Sequence, residues 1–226
     1  MEKPVIFYFV HAHGNGHRAT FNLLYPEFSV FFKVVAITTN SEVTKYLKEK
    51  HDVVVLELPP KYPEDFEIPE HTFSKAFEAT PYVFEAASRA KAFAEAILKF
   101  RPKVLYCDGV PELAIMARAM GLPVVLVHLH GNIMQDPTQI FAHELADHIV
   151  AHFPEVVEQK DFPFASKTFY SGYLSKYSET KPEEKAENQS VTILLGYDNY
   201  DEKILRNITA DQNIQFTVIG NKIEYN

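Results

Sequence analysis

Short apolar runs recur along the chain and are separated by segments in which apolar residues follow a helical spacing. The runs are rich in β-branched residues and end at Gly, Asn, Asp or Pro, a pattern typical of strands buried on both faces of a parallel sheet. The predicted strands are Val5–Val10, Lys33–Thr39, Val53–Leu58, Val104–Cys107, Val124–His128, His148–Ala151 and Lys167–Tyr170.

The segments between these runs predict helices. They are Ala19–Phe28, a helix that begins at Ser41, Tyr82–Phe100, Pro111–Met120 and Pro137–Ala146. We expect Pro26 to end or kink the first helix, and we expect Ser41 to open the second with a capping pattern. Residues 61–81 lack a clear period, and we expect an irregular excursion there with a short helix near Thr72–Glu78. Alternating strands and helices predict an α/β fold, a Rossmann-like open parallel sheet with helices on both faces.

A change in composition divides the chain. Residues 1–176 form the predicted first domain, and residues 177–190 are charged and polar without an apolar period, as in a linker. Residues 191–226 predict one βαβ unit, with strand Val191–Leu195, helix Asp201–Asn207 and strand Gln215–Ile219. One such unit has unpaired edges, so we expect it to pack on the first domain or to begin a larger, incomplete second domain.

Composition narrows the possible functions. The 226 residues carry a formal net charge of −8, which argues against sequence-independent binding to nucleic acid. The single cysteine, Cys107, excludes an internal disulfide, and no apolar run approaches the ~18 residues of a membrane span. We therefore predict a cytoplasmic protein, and peripheral membrane contact stays open.

The most informative local pattern is the loop HAHGNGHR at residues 11–18, between the first strand and the first helix. Ligands of open α/β sheets bind beyond the carboxyl ends of the strands, where glycines allow close approach of the backbone and a helix N-terminus favours negative charge. The candidate substrate-binding residues of this loop are His13, Gly14, Asn15 and Gly16. His17 is placed to act on a bound substrate. His11 and His13 either line the cleft or are strand-end residues hydrated by water.

The same loop also satisfies the dinucleotide pattern G-x-G-x-x-A through Gly14, Gly16 and Ala19. That pattern requires an acidic residue at the end of the second strand, but Asn40 occupies this place. The missing carboxylate disfavours a nicotinamide cofactor.

Histidines also follow a later strand, where His128 and His130 repeat the spacing of His11 and His13. Neutral imidazoles bind zinc, but no cysteine or carboxylate triad accompanies these residues, and the chain has no Asp-x-Asp motif. We therefore expect no metal ion at either place.

Three segments occur in the order found in one enzyme family. They are the Gly-x-Gly-His turn at residues 14–17, the stretch RPKVLYCDG at 101–109 with GLPVV at 121–125, and TFYSG at 168–172 before the linker. The chain resembles the GT-B glycosyltransferases, which include the lipid II-forming N-acetylglucosaminyltransferase and the glucosyltransferases that use nucleotide diphosphate sugars. A weaker match is Val191–Gly196, where the donor domain of the family begins.

The resemblance implies that residues 1–176 are the acceptor-side domain and that residues 191–226 begin the donor-binding domain. It implies a nucleotide diphosphate sugar as donor substrate with no further cofactor, and a hydroxyl acceptor. By this resemblance His17 is the general base and Asp108 its partner; His13 and His130 are expected to bind substrate. Histidine suits the role because its pKa lies near neutrality. The chain departs from the family in ending at Asn226, before the donor-binding residues, and in Tyr197-Asp198 after Gly196.

Two other functions stay open. The chain could be a non-catalytic acceptor-binding or scaffold subunit of a split glycosyltransferase, with a separate donor-domain subunit or a homodimer completing it. A nucleotide-sugar epimerase shares the fold, but its carboxylate-rich cleft is not evident in the sequence.

Overall fold

The computed structural model describes residues 2–12, 15–60, 83–129, 131, 133–177, 190–194, 207 and 215–219. The chain divides into two compact units, Met1–Ser178 and Glu179–Asn226. The excursion predicted at residues 61–81 and its short helix lie outside the described residues. So does the predicted helix Asp201–Asn207, apart from Asn207 itself, which is helical.

The first unit contains a seven-stranded sheet in which every neighbouring pair is parallel. Its strands are β1 (Val5–Phe9), β2 (Lys33–Thr38), β3 (Val54–Glu57), β4 (Val104–Asp108), β5 (Val124–His128), β6 (His148–Ala151) and β7 (Thr168–Tyr170). The strand order is β3-β2-β1-β4-β5-β6-β7. The predicted open parallel sheet is confirmed, with strand bounds shifted by one residue at most.

Five α-helices within the described ranges of the first unit cover the sheet. They are α1 (Gly16–Phe31), α2 (Ser41–Lys50), α3 (Val83–Phe100), α4 (Pro111–Ala119) and α5 (Pro137–Leu145). Helices α1 and α2 pack on one face, whereas α3, α4 and α5 pack on the other. None of the helices in the described ranges is both long enough and apolar enough to span a membrane.

Strand β1 explains why the apolar runs are continuous. Phe7 and Phe9 belong to the core on the α3 side, and Tyr8 belongs to the core on the α1 side. All three side chains are almost completely buried. Burial of a large apolar side chain contributes about 1.5–3 kcal/mol, so a central strand with both faces buried stabilises both layers.

Helix α1 differs from the prediction because it neither ends nor begins where the sequence pattern suggested. It runs from Gly16 to Phe31, with Pro26 inside the helix. Proline lacks the N–H of a helical hydrogen bond, and this costs about 3 kcal/mol in a helix interior. Packing on both sides of the proline offsets the cost, because Phe21 is buried and Phe28 lies 5.8 Å from the ring of Tyr8.

The predicted start of α2 at Ser41 is confirmed, but the predicted cap is wrong. The capping side chain belongs to Asn40, whose Oδ1 accepts hydrogen bonds from the backbone N–H groups of Glu42 and Val43. Ser41 is already the first helical residue. Asn40, which stands where a dinucleotide fold needs its acidic residue, therefore has a structural role.

The second unit contains a parallel pair of strands, β8 (Ser190–Leu194) and β9 (Gln215–Ile219). Parallel neighbours require a crossover connection, in agreement with the predicted βαβ order. The assignment of this unit as the start of a donor-binding domain stays a prediction.

Candidate active site

The site lies where the strand order of the sheet reverses. β1 has β2 on one side and β4 on the other, so the loops that follow β1 and β4 separate and leave a crevice between them. His17 lies in the first turn of α1, immediately after the β1 loop, and Asp108 is the last residue of β4. The topology alone therefore brings these two side chains together.

His17 and Asp108 are in hydrogen-bonding contact at this crevice. The Nδ1 atom of His17 lies 2.9 Å from Oδ1 of Asp108, and the two side chains are 18% and 3% exposed. A carboxylate accepts hydrogen bonds only, so Nδ1–H is the donor, and in a neutral imidazole with this tautomer Nε2 carries the lone pair. The pair has the geometry of a base oriented by a carboxylate, in which the carboxylate also stabilises the imidazolium that forms.

Gly109 permits this contact in two ways. Its φ of +79° lies in the left-handed region, which residues other than glycine rarely adopt. A Cβ atom added at Gly109 would also lie 3.0 Å from Cε1 of His17. Gly109 therefore allows both the turn after Asp108 and the close approach of the imidazole ring.

His17 and Asp108 open into a cleft of about 550 Å³. Its lining residues are Gly16, His17, Thr20, Asp108, Val127, His128, Leu129, His152, Phe153, Val157 and Tyr173. Asp108 is the one residue with a carboxyl side chain among these described lining residues. The cleft thus combines a histidine–carboxylate pair with mainly apolar walls.

The remaining predicted site residues occupy different positions. Gly16 lines the cleft, whereas the side chain of Asn15 accepts a hydrogen bond from Arg18. The ring of His11 lies 5.1 Å from the ring of His17, so this histidine adjoins the site. The predicted binding residues His13, Gly14 and His130 lie outside the described residues.

His152 lines the same cleft, although it is not among the site residues predicted from the sequence. It follows β6 directly, as Asp108 ends β4, and this position at a strand end is the signal that could have pointed to it. Its Nε2 atom lies 2.8 Å from the hydroxyl oxygen of Tyr106, and its Nδ1 atom lies 3.0 Å from Oγ of Ser171.

His128 is buried beneath the cleft and has protein partners. Its ring stacks on Phe162 with centroids 4.4 Å apart, and its Nε2 lies 3.1 Å from Oε2 of Glu158. Its Nδ1 lies 3.2 Å from Nε2 of His143, and burial lowers the pKa of His143 to about 4. Within the described ranges, no group of three His, Cys, Asp or Glu residues is arranged to hold a metal ion.

At the level of sequence, no protein-family model and no curated protein matches the chain. Solved structures match its fold. The calicheamicin glycosyltransferase CalG4 is similar with a TM-score of 0.65 and 14% identity, over 97% of this chain and 66% of that one. MurG from Acinetobacter baumannii is similar with a TM-score of 0.55 and 13% identity, over 96% and 66%.

A UDP-N-acetylglucosamine 2-epimerase is also similar, with a TM-score of 0.55 and 13% identity over 95% of this chain and 63% of that one. The chain spans about two thirds of the length of these structures. The fold is therefore that of GT-B glycosyltransferase structures, as the sequence resemblance implied. Because the epimerase has the same fold, the fold alone does not select the reaction.

Proposed function

We propose that this chain is the acceptor-side part of a glycosyltransferase that moves a sugar from a nucleotide diphosphate sugar to an acceptor hydroxyl. The observation that carries the proposal is the 2.9 Å contact between His17 and Asp108, which both line the cleft. A histidine held by a carboxylate, with one nitrogen directed away from it, is suited to remove a proton from a hydroxyl group.

In the proposed reaction the acceptor hydroxyl approaches Nε2 of His17. Its oxygen forms a bond to the anomeric carbon of the sugar while its proton moves to Nε2. The bond between the anomeric carbon and the diphosphate oxygen breaks, and the electron pair leaves with the nucleotide diphosphate. Asp108 balances the charge of the resulting imidazolium, and attack opposite the leaving group inverts the anomeric centre.

The chemistry of the cleft favours sugar transfer over epimerisation. Asp108 is the one carboxylate among its described lining residues, and it already contacts His17. The same lining is compatible with a non-catalytic acceptor-binding subunit of a split enzyme, so binding and transfer have to be measured separately.

The first experiment is calorimetric titration of the purified chain with UDP, GDP and dTDP and with their glucose conjugates. Saturable binding of one nucleotide series supports a donor site within this chain. Each titration is followed by incubation of the same nucleotide sugar with hydroxyl acceptors, including 4-methylumbelliferone, and mass analysis of the products. A glycoside formed by the wild-type protein and lost in His17→Ala supports the enzyme.

Absence of transfer, with acceptor binding retained, would contradict the enzyme and favour the acceptor-binding subunit. His148→Ala is the matched control, because His148 is an exposed histidine at the start of β6 and does not line the cleft.

A further inference from the structure

A second imidazole of the cleft, that of His152, is fixed at both of its nitrogen atoms. On one side is the hydroxyl of Tyr106, which projects from β4, and on the other is Oγ of Ser171, directly after β7. His152 thus connects strands that are not neighbours, since β5 and β6 lie between β4 and β7. An isolated surface histidine has no such arrangement.

The protons of this chain of contacts can be assigned. Burial strongly raises the pKa of Tyr106, so the phenol keeps its proton, and Nε2 of His152 is its acceptor among the described residues. Burial lowers the pKa of His152, and the nearby carboxylate of Asp108 opposes this shift only in part. The imidazole is therefore neutral, with its lone pair on Nε2 and its proton on Nδ1.

Ser171 is the last member of this chain of contacts. Its hydroxyl lies 3.0 Å from the carbonyl oxygen of Gly172 and 3.3 Å from that of Ala151, and it donates to one of them. Its oxygen is then the acceptor for Nδ1–H of His152. Each hydroxyl and each ring nitrogen in this chain of contacts has a defined donor or acceptor role. Rotation of the His152 ring would therefore break two hydrogen bonds.

The residues that follow Ser171 in sequence form part of the wall of the cleft. Ser171 is followed by Gly172, whose φ is +74°, and by Tyr173, which lines the cleft and is 71% exposed. With so much of its surface exposed, Tyr173 has little packing of its own to hold it. The position of its ring depends on the backbone at Ser171 and Gly172.

We propose that His152 is a positioning residue which, as an imidazole protonated on Nδ1, couples the buried Tyr106 hydroxyl to Ser171 and so holds Tyr173 in the wall of the cleft that receives the acceptor. The acceptor part of this statement rests on the proposed function. The coupling itself does not, and it can be measured without any substrate.

The first test is the tautomer of His152, measured by two-bond ¹H–¹⁵N correlation on the ¹⁵N-labelled protein at neutral pH. The His152 signal is assigned by its loss in His152→Gln. We expect protonated Nδ1 and unprotonated Nε2, and we expect Tyr106→Phe to change this pattern because it removes the donor to Nε2. Protonated Nε2 in the wild-type protein, or an unchanged pattern in Tyr106→Phe, would overturn the proposed coupling.

The second test uses a single tryptophan, because the chain has none. In Tyr173→Trp, time-resolved anisotropy reports motion of this side chain on the nanosecond scale. We expect Ser171→Ala, added to this variant, to increase the fast loss of anisotropy. Ser175→Ala is the matched control, because Ser175 makes its hydrogen bond to Tyr177 and not to this chain of contacts. Equal anisotropy decays in all three proteins would overturn the proposal.

The outcomes of the tautomer and anisotropy measurements do not depend on whether the proposed reaction occurs. If transfer is found, Ser171→Ala should raise KM for the acceptor and leave kcat nearly unchanged, since His17 and Asp108 are intact. A fall in kcat without a change in KM would contradict a positioning role. If no transfer is found while the tautomer and anisotropy results hold, the proposed function fails and the coupling stands.

Discussion

The Nδ1 atom of His17 lies 2.9 Å from Oδ1 of Asp108, and the other oxygen of this carboxylate, Oδ2, has no hydrogen-bond partner among the described residues. The carboxylate is almost completely buried. A buried carboxylate with a single histidine partner orients that histidine strongly, since the charge has little solvent to compensate it. The contact between His17 and Asp108 therefore locates the site more narrowly than any single sequence motif does.

Asp108→Asn tests the charge of this carboxylate. The amide is nearly the same size, but it cannot stabilise an imidazolium and can present its NH₂ group to His17. If the protein is a transferase, we expect kcat/KM to fall by about 10²-fold or more. The measurement is the rate of glycoside formation, with circular dichroism to verify folding. Activity close to that of the wild-type protein would show that the carboxylate is structural only.

Gly109→Ala tests the space that His17 requires. The substitution places a Cβ atom on a left-handed backbone, which costs about 1–2 kcal/mol of folding free energy. The same Cβ atom would lie 3.0 Å from Cε1 of His17. Gly121→Ala is the matched control, because Gly121 has a φ of +80° and open space around it. Chemical denaturation should show a loss of stability in both variants, whereas only Gly109→Ala should shift the NMR signals of His17. Equal effects on His17 in both variants would refute the close approach.

His143 should make the protein sensitive to acid. Burial lowers its pKa from 6.5 to about 4 in the folded protein. Its contribution to stability is complete above pH 6.5, where both states are neutral, and is lost as the pH falls from 6.5 towards 4, because only the unfolded state takes up the proton. The shift corresponds to about 3 kcal/mol.

The measurement is urea unfolding of the wild-type protein and His143→Gln at several pH values across this range. The variant should lose less stability than the wild type on acidification, and His148→Gln, at an exposed site, should follow the wild type. Parallel curves for all three proteins would contradict the assignment of a buried neutral His143.

Asn40→Ala tests the assignment of Asn40 as the capping residue of α2. Loss of an N-cap side chain costs about 1 kcal/mol, so urea unfolding should show a decrease of that order. Ser41→Ala should have a smaller effect, because Ser41 is the first helical residue and not the cap. A larger loss in Ser41→Ala would restore the assignment that the sequence pattern suggested.

The sheet could be predicted because its strands are buried on both faces and therefore appear as uninterrupted apolar runs. The neighbourhood of His17 and Asp108 followed from a general property of such sheets, that functional side chains gather at the carboxyl ends of the strands. The length of α1 could not be predicted, because contacts of Phe21 and Phe28 with other elements outweigh the local effect of Pro26.

Long-range contacts account for the other omissions. His152 meets Tyr106 across 46 residues of sequence, and no local pattern indicates that the two side chains share a hydrogen bond. One of the two reasons for glycine at position 109 is the ring of His17, which belongs to another element. Such residues become visible only when the elements are placed in three dimensions.

The rate of sugar transfer by His17→Ala, compared with that of His148→Ala, shows whether His17 is the general base. With a nucleotide sugar that the wild-type protein uses, removal of the base should lower kcat/KM by about 10²–10⁴-fold, whereas the control should retain wild-type activity. Transfer by His17→Ala at the rate of the control would contradict the assignment of His17 as the general base.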